Sequence, residues 1–386
     1  MARVALRRRA GAPLASPFTD PRIPDGLPAL LEQLLEDVDG FARVAGGTVL
    51  LKPNLNFLPS SFNPFALTDP RLLLALAAVL RARGARHVVV GEKPGQGRLS
   101  AECRELVAGR FALPPWLEWP DLDAEPRRAA PTRTRLLAPT LELPEPWLTA
   151  DVVIDVPKLK THTLTDVSLG MKNLFGLLRD DDRMRHHNED LHPLLVDLLS
   201  VRPPDVTIVD ALVGLEGQGP LFGAARPLDL LIASRDCVAA DATAAWLMGF
   251  EPEAIEHLRL AGTHGLGEAR LHALEFPALR PADVRAPFRR GDSWRNPVPE
   301  VTVVRGAAVP AGYANAISHS LERLAAEGRR PPPTTIYVGR FDGEPAPPGA
   351  IVFGDVTAGS LDPRGALVVP GHPPRAFTLY DLLRPA

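Results

Sequence analysis

The sequence predicts an α/β fold: a mainly parallel, Rossmann-like layered sheet covered by helices, with a small C-terminal α+β appendage. Three observations predict it. Apolar runs of strand length recur between amphipathic helical stretches, the alternation expected when helices cover a parallel sheet. At least one run, Asp151 to Val156, is continuous enough to be buried on both faces. Three strands also end in a lysine beside a proline, LLKPN, VGEKPG and DVPKLK, and parallel strands bring such ends to one edge.

Val4 to Leu6 is the first short strand, followed by a helix from about Pro28 to Val44. Thr48 to Leu51 is the second strand. Asp69-Pro70, an acidic cap with proline at the first helical position, starts a helix that ends at Arg83-Gly84. Val88 to Val90 is a strand running into Gly91-Glu92-Lys93-Pro94-Gly95-Gln96-Gly97, and a helix covers about Ser100 to Arg110. Residues 112–147 are rich in proline and arginine and read as an insertion, with a hairpin around Arg135–Leu137 and Leu141–Leu143. Asp151–Val156 is a strand ending in Pro157-Lys158-Leu159-Lys160, helices follow near Leu169–Leu178 and His192–Ser200, and Val206–Val209 is a strand ending in Asp210. Leu228–Ala233 is a strand, with helices near Val238–Met248 and Pro252–Ala261. The pattern changes near Pro277 to a linker, then Val301–Val304, a helix at Ala314–Ala326, and strands at Thr335–Val338 and Ile351–Phe353. The domain reading is a core over 1–275 and a small C-terminal domain over 276–386.

Composition excludes several classes. A 45% hydrophobic and 23% charged chain is globular, and no stretch approaches the roughly 18–20 apolar residues that span a membrane. The basic N-terminal residues lack the apolar run of a secretory signal, so the expected location is the cytoplasm. With only Cys103 and Cys237, the chain has no disulfide framework and no four-cysteine iron–sulfur or zinc site of its own. A net charge of −3 without a basic run gives no footprint for nucleic acid.

Of 43 basic residues only Lys52, Lys93, Lys158, Lys160 and Lys172 are lysines. Arginine fills the generic basic positions, as in a chain from a GC-rich genome. The remaining lysines stand where a slim point charge, or an amine able to lose its proton, is needed and a broad guanidinium is not. If their strands are parallel, Lys52, Lys93 and Lys158 share a sheet edge with Asp210 and Glu216, and anions from the chain or from a substrate balance them.

The densest polar cluster runs from Lys158 through Lys160, Thr161 and His162 to Lys172 and Asn173. It supplies donors for an oxyanion, an acid/base and hydroxyls that could bind phosphate. Glu216-Gly217-Gln218-Gly219-Pro220 follows a strand and could bring backbone close to a ligand. The Gly91–Gly97 loop fits neither the Walker A spacing nor GxGxxG, and there is no Gly-x-Ser-x-Gly elbow. His186, His187 and His192, among Asp180, Asp181, Asp182, Glu189 and Asp190, lack a recognised ligand spacing and read as a solvated loop.

The segments KPN, TDP, DVVIDVPKLKTHTLTDVSLGMKNLFG, VTIVDALVGLEGQGP and ASRDCVAADATAAWLMG together resemble the Domain of Unknown Function 362 family, over roughly Leu51 to Gly267. The resemblance implies a bacterial or archaeal cytoplasmic α/β protein. Many relatives carry appended ferredoxin-like iron–sulfur modules, which two cysteines cannot supply here. GDVTAG and VPGHPP resemble places where some relatives carry cysteine, so Val356 and His372 would mark a lost site.

The function expected is an enzyme acting on a small carboxylate- or phosphate-bearing substrate. Lys158, Lys160 and Lys52 bind the anion, His162 is the acid/base, and Asn54, Lys93, Thr161, Lys172, Asn173, Gly217 and Gly219 complete the pocket. Asp210 and Glu216 are ligands for an optional divalent metal. A racemase-type carbon-acid step, broadly like that of nickel-pincer lactate racemases, is one version and requires Lys and His beside the substrate α-carbon. The alternative is a non-catalytic ligand-binding or electron-transfer accessory of a separate iron–sulfur protein.

Overall fold

Strands that are apolar on both faces need cover on both sides, and the first unit of the chain provides it around a ten-stranded sheet. The structure, a computed structural model, describes residues 1–55, 63–94, 100–122, 124–186, 191–374 and 376–384. The chain divides into two units: the first runs to Asp180 and resumes over His192–Gly291, and the second is built mainly on Asp292–Ala386.

In chain order the elements are β1 (Ala2–Arg8), α1 (Leu27–Asp37), β2 (Thr48–Pro53), α2 (Pro70–Ala82), β3 (His87–Val90), α3 (Ser100–Ala108), β4 (Leu117–Glu118), β5 (Arg127–Pro131), β6 (Thr140–Pro144), α4 (Glu145–Thr149), β7 (Val152–Val156), β8 (Lys158–His162), β9 (Asp166–Ser168), α5 (Gly170–Asn173), α6 (Asp180–His186), α7 (Leu191–Val201), β10 (Val206–Glu216), β11 (Ala224–Ser234), α8 (Cys237–Leu247), α9 (Glu256–Thr263) and β12 (Leu274–Glu275). The sheet order is β12-β1-β11-β10-β7-β2-β3-β4, with β8 and β9 branching from β10. From β10 through β7, β2 and β3 to β4 the pairing is parallel; β11 runs antiparallel to both neighbours. The fold is therefore α/β with a large, mostly parallel sheet.

Alternation along the strands sorts the two faces. Val152, Ile154 and Val156 of β7 join Val49 and Leu51 of β2 against Leu31 and Leu35 of α1 and Leu72 and Leu76 of α2 in one core. On the other face Asp155 of β7 stands in register with Lys52 of β2 and Thr207 of β10. There, close approach leaves no room for a side chain at Gly170 of α5: a Cβ would lie 2.9 Å from both the Asp241 carboxylate and the Cys237 sulfur of α8.

Several elements differ from the sequence expectation for identifiable reasons. Helix α1 stops at Asp37, before Val44, because Asp39 turns left-handed at φ 54° and Gly40 N–H closes onto Leu35 O at 2.7 Å. Strand β10 does not end at Val209 but runs on to Glu216, with all eleven residues buried. Its mid-strand Asp210 mimics a loop residue, while the continuation is held by antiparallel β11, itself longer than the Leu228–Ala233 run. The hairpin of the insertion is β5 with β6, so its first strand precedes Arg135, whose φ is 52°.

The second unit has four parallel strands in the order β13 (Val301–Arg305), β14 (Thr334–Val338), β15 (Ile351–Phe353) and β16 (Leu367–Val369). Helices α10 (Ala311–Ala326), α11 (Asp355–Ala358) and α12 (Ala376–Leu383) accompany them. Tyr313, Ile317, Leu321 and Leu324 of α10 pack with Ile336, Val338 and Phe353 in a core of its own. Val356 and His372 meet at the Tyr313 hydroxyl, which accepts from Val356 N–H at 3.3 Å and lies 2.9 Å from His372 Nδ1. A cavity of about 1290 Å³ opens near the carboxyl ends of these strands, with Arg305, Arg340 and Asp355 on its walls.

Candidate functional site

The site begins where the sheet forks. Strand β2 pairs with β7 as far as Pro53 opposite Val156, after which the chain continues as β8 and follows β10, with Lys158 opposite Asp210 and Lys160 opposite Leu215. Pro157 makes the break. It has no N–H for a ladder, and its carbonyl accepts from Asp210 N–H at 2.8 Å. Lys158, Lys160 and His162 then share one face of β8, and Leu159 and Thr161 the other.

The lysines named by the sequence are thus mostly strand residues rather than loop residues, and they are buried: Lys52, Lys158 and Lys160 are each 1% exposed. Burying an ammonium costs several kcal/mol unless it is compensated. Lys52 Nζ lies 3.1 and 3.3 Å from the Glu92 carboxylate oxygens and donates to Asn173 Oδ1 at 3.3 Å. Lys158 Nζ donates to Asp210 Oδ2 at 2.8 Å. Lys93 lies off this cluster and pairs with Asp180 at 3.4 Å.

Lys160 differs. Its Nζ donates to Asn54 Oδ1 at 2.9 Å and to Ala66 O at 2.7 Å, both neutral oxygens. Burial, reinforced by the charges of Lys172 and Lys158, pushes its amine down to about 7. Two acceptors are what a neutral amine with two hydrogens can satisfy, leaving the nitrogen lone pair over.

The amides tie these groups into one network. Asn54 Nδ2 donates to Asn173 Oδ1 at 2.9 Å, and Asn173 Nδ2 donates to Asp155 Oδ1 at 2.7 Å. Asp155 is fully buried, its Oδ2 has no partner, and burial raises its carboxyl well above the usual range. Asp241 accepts from the N–H groups of Gly170 and Met171 at 2.7 and 2.8 Å and so fixes α5, the carrier of Lys172 and Asn173. Burial raises it to about 7. Half-buried Lys172 sets its Nζ 4.2 Å from the centre of the Phe175 ring.

The structure therefore gathers Lys52, Asn54, Lys160 and Asn173, with Lys158 beside them and His162 on the same strand face. His162 Nδ1 accepts from Leu164 N–H at 3.1 Å, which leaves the proton of the neutral ring on Nε2. Thr161, Gly217 and Gly219 meet one another instead: Thr161 Oγ1 donates to Gly217 O at 2.9 Å, and a Cβ on Gly219 would fall 1.9 Å from Thr161 O. Asp210 and Glu216 do not converge. Besides Lys158, Asp210 accepts from Asp69 N–H at 2.8 Å and Leu212 N–H at 3.1 Å, whereas Glu216 is bound by Arg289 at 3.0 Å. Among the described residues no group of three or more His, Cys, Asp or Glu side chains is arranged to hold a metal ion.

His192 stacks on His257, which the sequence did not single out, with their Nδ1 atoms 3.1 Å apart. Burial holds the His257 ring down to about 3, so it is neutral. His187, Glu189, Asp190 and the Gly95–Gly97 part of the glycine loop lie outside the described residues. Sequence reasoning also missed Glu92, Asp155 and Asp241 as members of the site. Asp155 carried a signal, a charge inside an otherwise apolar strand, and so did Asp241, an acid within the alanine-rich AADATAA run.

Every member of this network, from Lys52 to Asp241, falls within residues 49–246, the stretch matched by the family described as Domain of unknown function (DUF362). The chain belongs to the DUF362 family. A thylakoid-associated protein of Synechocystis sp. is 28% identical over 320 residues, covering 81% of this chain and 94% of its own length. Two solved structures overlay at a TM-score of 0.39. One is a Thermotoga maritima protein, 11% identical, covering 86% of this chain and 73% of its own; the other is the lactate racemase apoprotein of Thermoanaerobacterium thermosaccharolyticum, 10% identical, covering 81% and 66%. At that distance neither bears on the chemistry of the DUF362 site. Among the described residues no helix is long and apolar enough to cross a membrane.

Proposed function

We propose that this DUF362 protein is an enzyme that takes a small anionic substrate, a carboxylate or phosphate ester, at the fork between β2 and β8, with Lys160 as its reacting amine. One observation carries the reading: Lys52, Lys93 and Lys158 each have a carboxylate of the chain beside them, whereas Lys160 is held only by the neutral oxygens of Asn54 and Ala66. A fold that merely tolerated a buried lysine would be expected to neutralise it, and an amine tuned toward neutral pH is suited to accept a proton or attack a carbon centre. Lys172, half-buried, holds the anion at the rim, and His162 offers its Nε2 proton to a substrate oxygen. On this reading the chain works in the cytoplasm.

The test is a thermal-shift and calorimetric screen of small carboxylates and phosphate esters on the wild type, Lys172→Ala and Lys160→Met. The expected ligand stabilises the wild type and loses at least tenfold in affinity in Lys172→Ala. An anion that stabilises both variants as much as the wild type binds elsewhere and removes the proposal.

A further inference from the structure

Resting on that reading, we infer that Lys160 forms a covalent imine with its substrate, which makes the substrate class a small aldehyde or ketone that also carries a carboxylate or phosphate. The inference comes from how the amine is held. Hydrogen bonds of 2.9 Å to Asn54 Oδ1 and 2.7 Å to Ala66 O use two hydrogens on the nitrogen. In the neutral amine these are all the hydrogens it has, so the lone pair is left over and accepts from no donor among the described residues.

Asn54 is fixed in turn: its Nδ2 donates to Asn173 Oδ1, and its backbone N–H donates to Thr68 Oγ1 at 2.8 Å. The Asn54 acceptor is thus held in place by hydrogen bonds of its own side chain and backbone. A lysine kept neutral by burial beside other ammonium groups, here Lys158 and Lys172, is the arrangement that makes an amine nucleophilic toward carbonyl carbon.

The step balances without a cofactor. The Lys160 nitrogen adds to the carbonyl carbon, forming the C–N bond, and one of its protons passes to the oxygen to give a carbinolamine. The C–O bond then breaks, and the hydroxyl leaves as water with a proton from solvent. The product is a protonated imine, whose cationic nitrogen can draw electrons from the neighbouring carbon. The neutral Asn54 and Ala66 oxygens remain as acceptors for the one N–H the nitrogen keeps, and among the described residues no carboxylate bonds the cation formed there as a countercharge. The substrate's own anion provides it.

The experiment incubates the full-length protein with glyoxylate and sodium cyanoborohydride and maps adducts by peptide mass spectrometry. With only five lysines and one amino terminus, every adduct is assignable. The inference expects a saturable adduct on the Lys160 peptide, absent in Lys160→Met. Lys172→Ala should raise the half-saturating glyoxylate at least fivefold more than it raises that of uncharged propionaldehyde, which shares the loss of the neighbouring charge on the Lys160 amine but not the loss of the anion's partner. Adducts confined to Lys93, Lys172 and the amino terminus overturn it, as does equal Lys160 labelling by glyoxylate in wild type and Lys172→Ala. Should Lys160→Met fail to fold, the site mapping and the Lys172→Ala comparison still decide. If the Lys160 nitrogen titrates near neutrality but no adduct forms on it, the imine fails and the anion-enzyme reading survives; if it stays an ammonium ion throughout, both fail.

Discussion

Replacing Lys160 by methionine should change how stability depends on pH more than it changes stability itself. Methionine matches the length of the side chain without the nitrogen, so the buried proton-binding site disappears. In the wild type the folded-state pKa of about 7 lies below the ordinary lysine value of 10.5. Between those values the unfolded chain binds a proton that the folded one does not, so folding gains stability as pH rises through that window. Below pH 7 the fold carries a buried ammonium and the full penalty, roughly 5 kcal/mol for a shift of that size. From pH 7 to 9.5 the gain is about 3 kcal/mol, with a slope near 1.3 kcal/mol per pH unit at pH 8.5.

Lys160→Met loses that slope. It also strands Asn54 Oδ1 and Ala66 O, at a cost of about 1–3 kcal/mol each. The variant should therefore be near the wild type in stability at pH 6 and clearly weaker at pH 9.5. The burial of Cys103 and Cys237, which raises both thiols, tilts the alkaline limb the other way but is common to both proteins and cancels in the difference. Urea unfolding at half-unit steps from pH 6 to 9.5 measures it. A wild-type minus variant difference that stays flat within 0.5 kcal/mol, roughly the error of such extrapolations, refutes the reasoning.

Other consequences follow from the same geometry. Asp241 has a raised carboxyl, so its contribution is fully present below the ordinary value of 3.8 and is lost as pH rises through about 7. Asp241→Asn should flatten the stability profile between pH 4 and 7 and cost about 1–2 kcal/mol through one lost acceptor at the start of α5, read by urea melts. Lys52→Met alone leaves Glu92 buried without its cation and should cost roughly 3–5 kcal/mol, while the double variant with Glu92→Leu recovers part of it; a double-mutant cycle with no coupling would contradict the pair. Gly219→Ala drives a Cβ into the Thr161 carbonyl and should cost at least about 2 kcal/mol, so an unchanged melting temperature would disprove that contact.

The positions that carry a local signal were legible. Asp69-Pro70 starts a helix because the carboxylate accepts from Arg71 N–H at 2.9 Å and proline needs no partner there, and Ile351–Phe353 is the strand its apolar run indicates. The parallel core followed from runs such as Val152–Val156, buried at every residue. What sequence could not supply was which partner each charge would find. Lys158 and Lys160 are two residues apart in one strand, yet one meets a carboxylate and the other an amide and a carbonyl, because Asp210 arrives from within β10 and Asn54 from just past the end of β2. Likewise Thr161, between Lys160 and His162, faces away from both simply because strand side chains alternate. Lysine rarity pointed to Lys52, Lys158 and Lys160, which the structure buries; pairing with neutral oxygens distinguishes Lys160 among them.

The most direct test of that distinction is the ionisation of the amines themselves. With only five lysines, nitrogen-15 labelling of lysine gives five side-chain Nζ signals, assignable by single substitutions and followed from pH 5.5 to 10. The account predicts that the Lys160 signal passes from ammonium to amine with a midpoint near 7. A Lys160 signal that remains ammonium to pH 9 would contradict it.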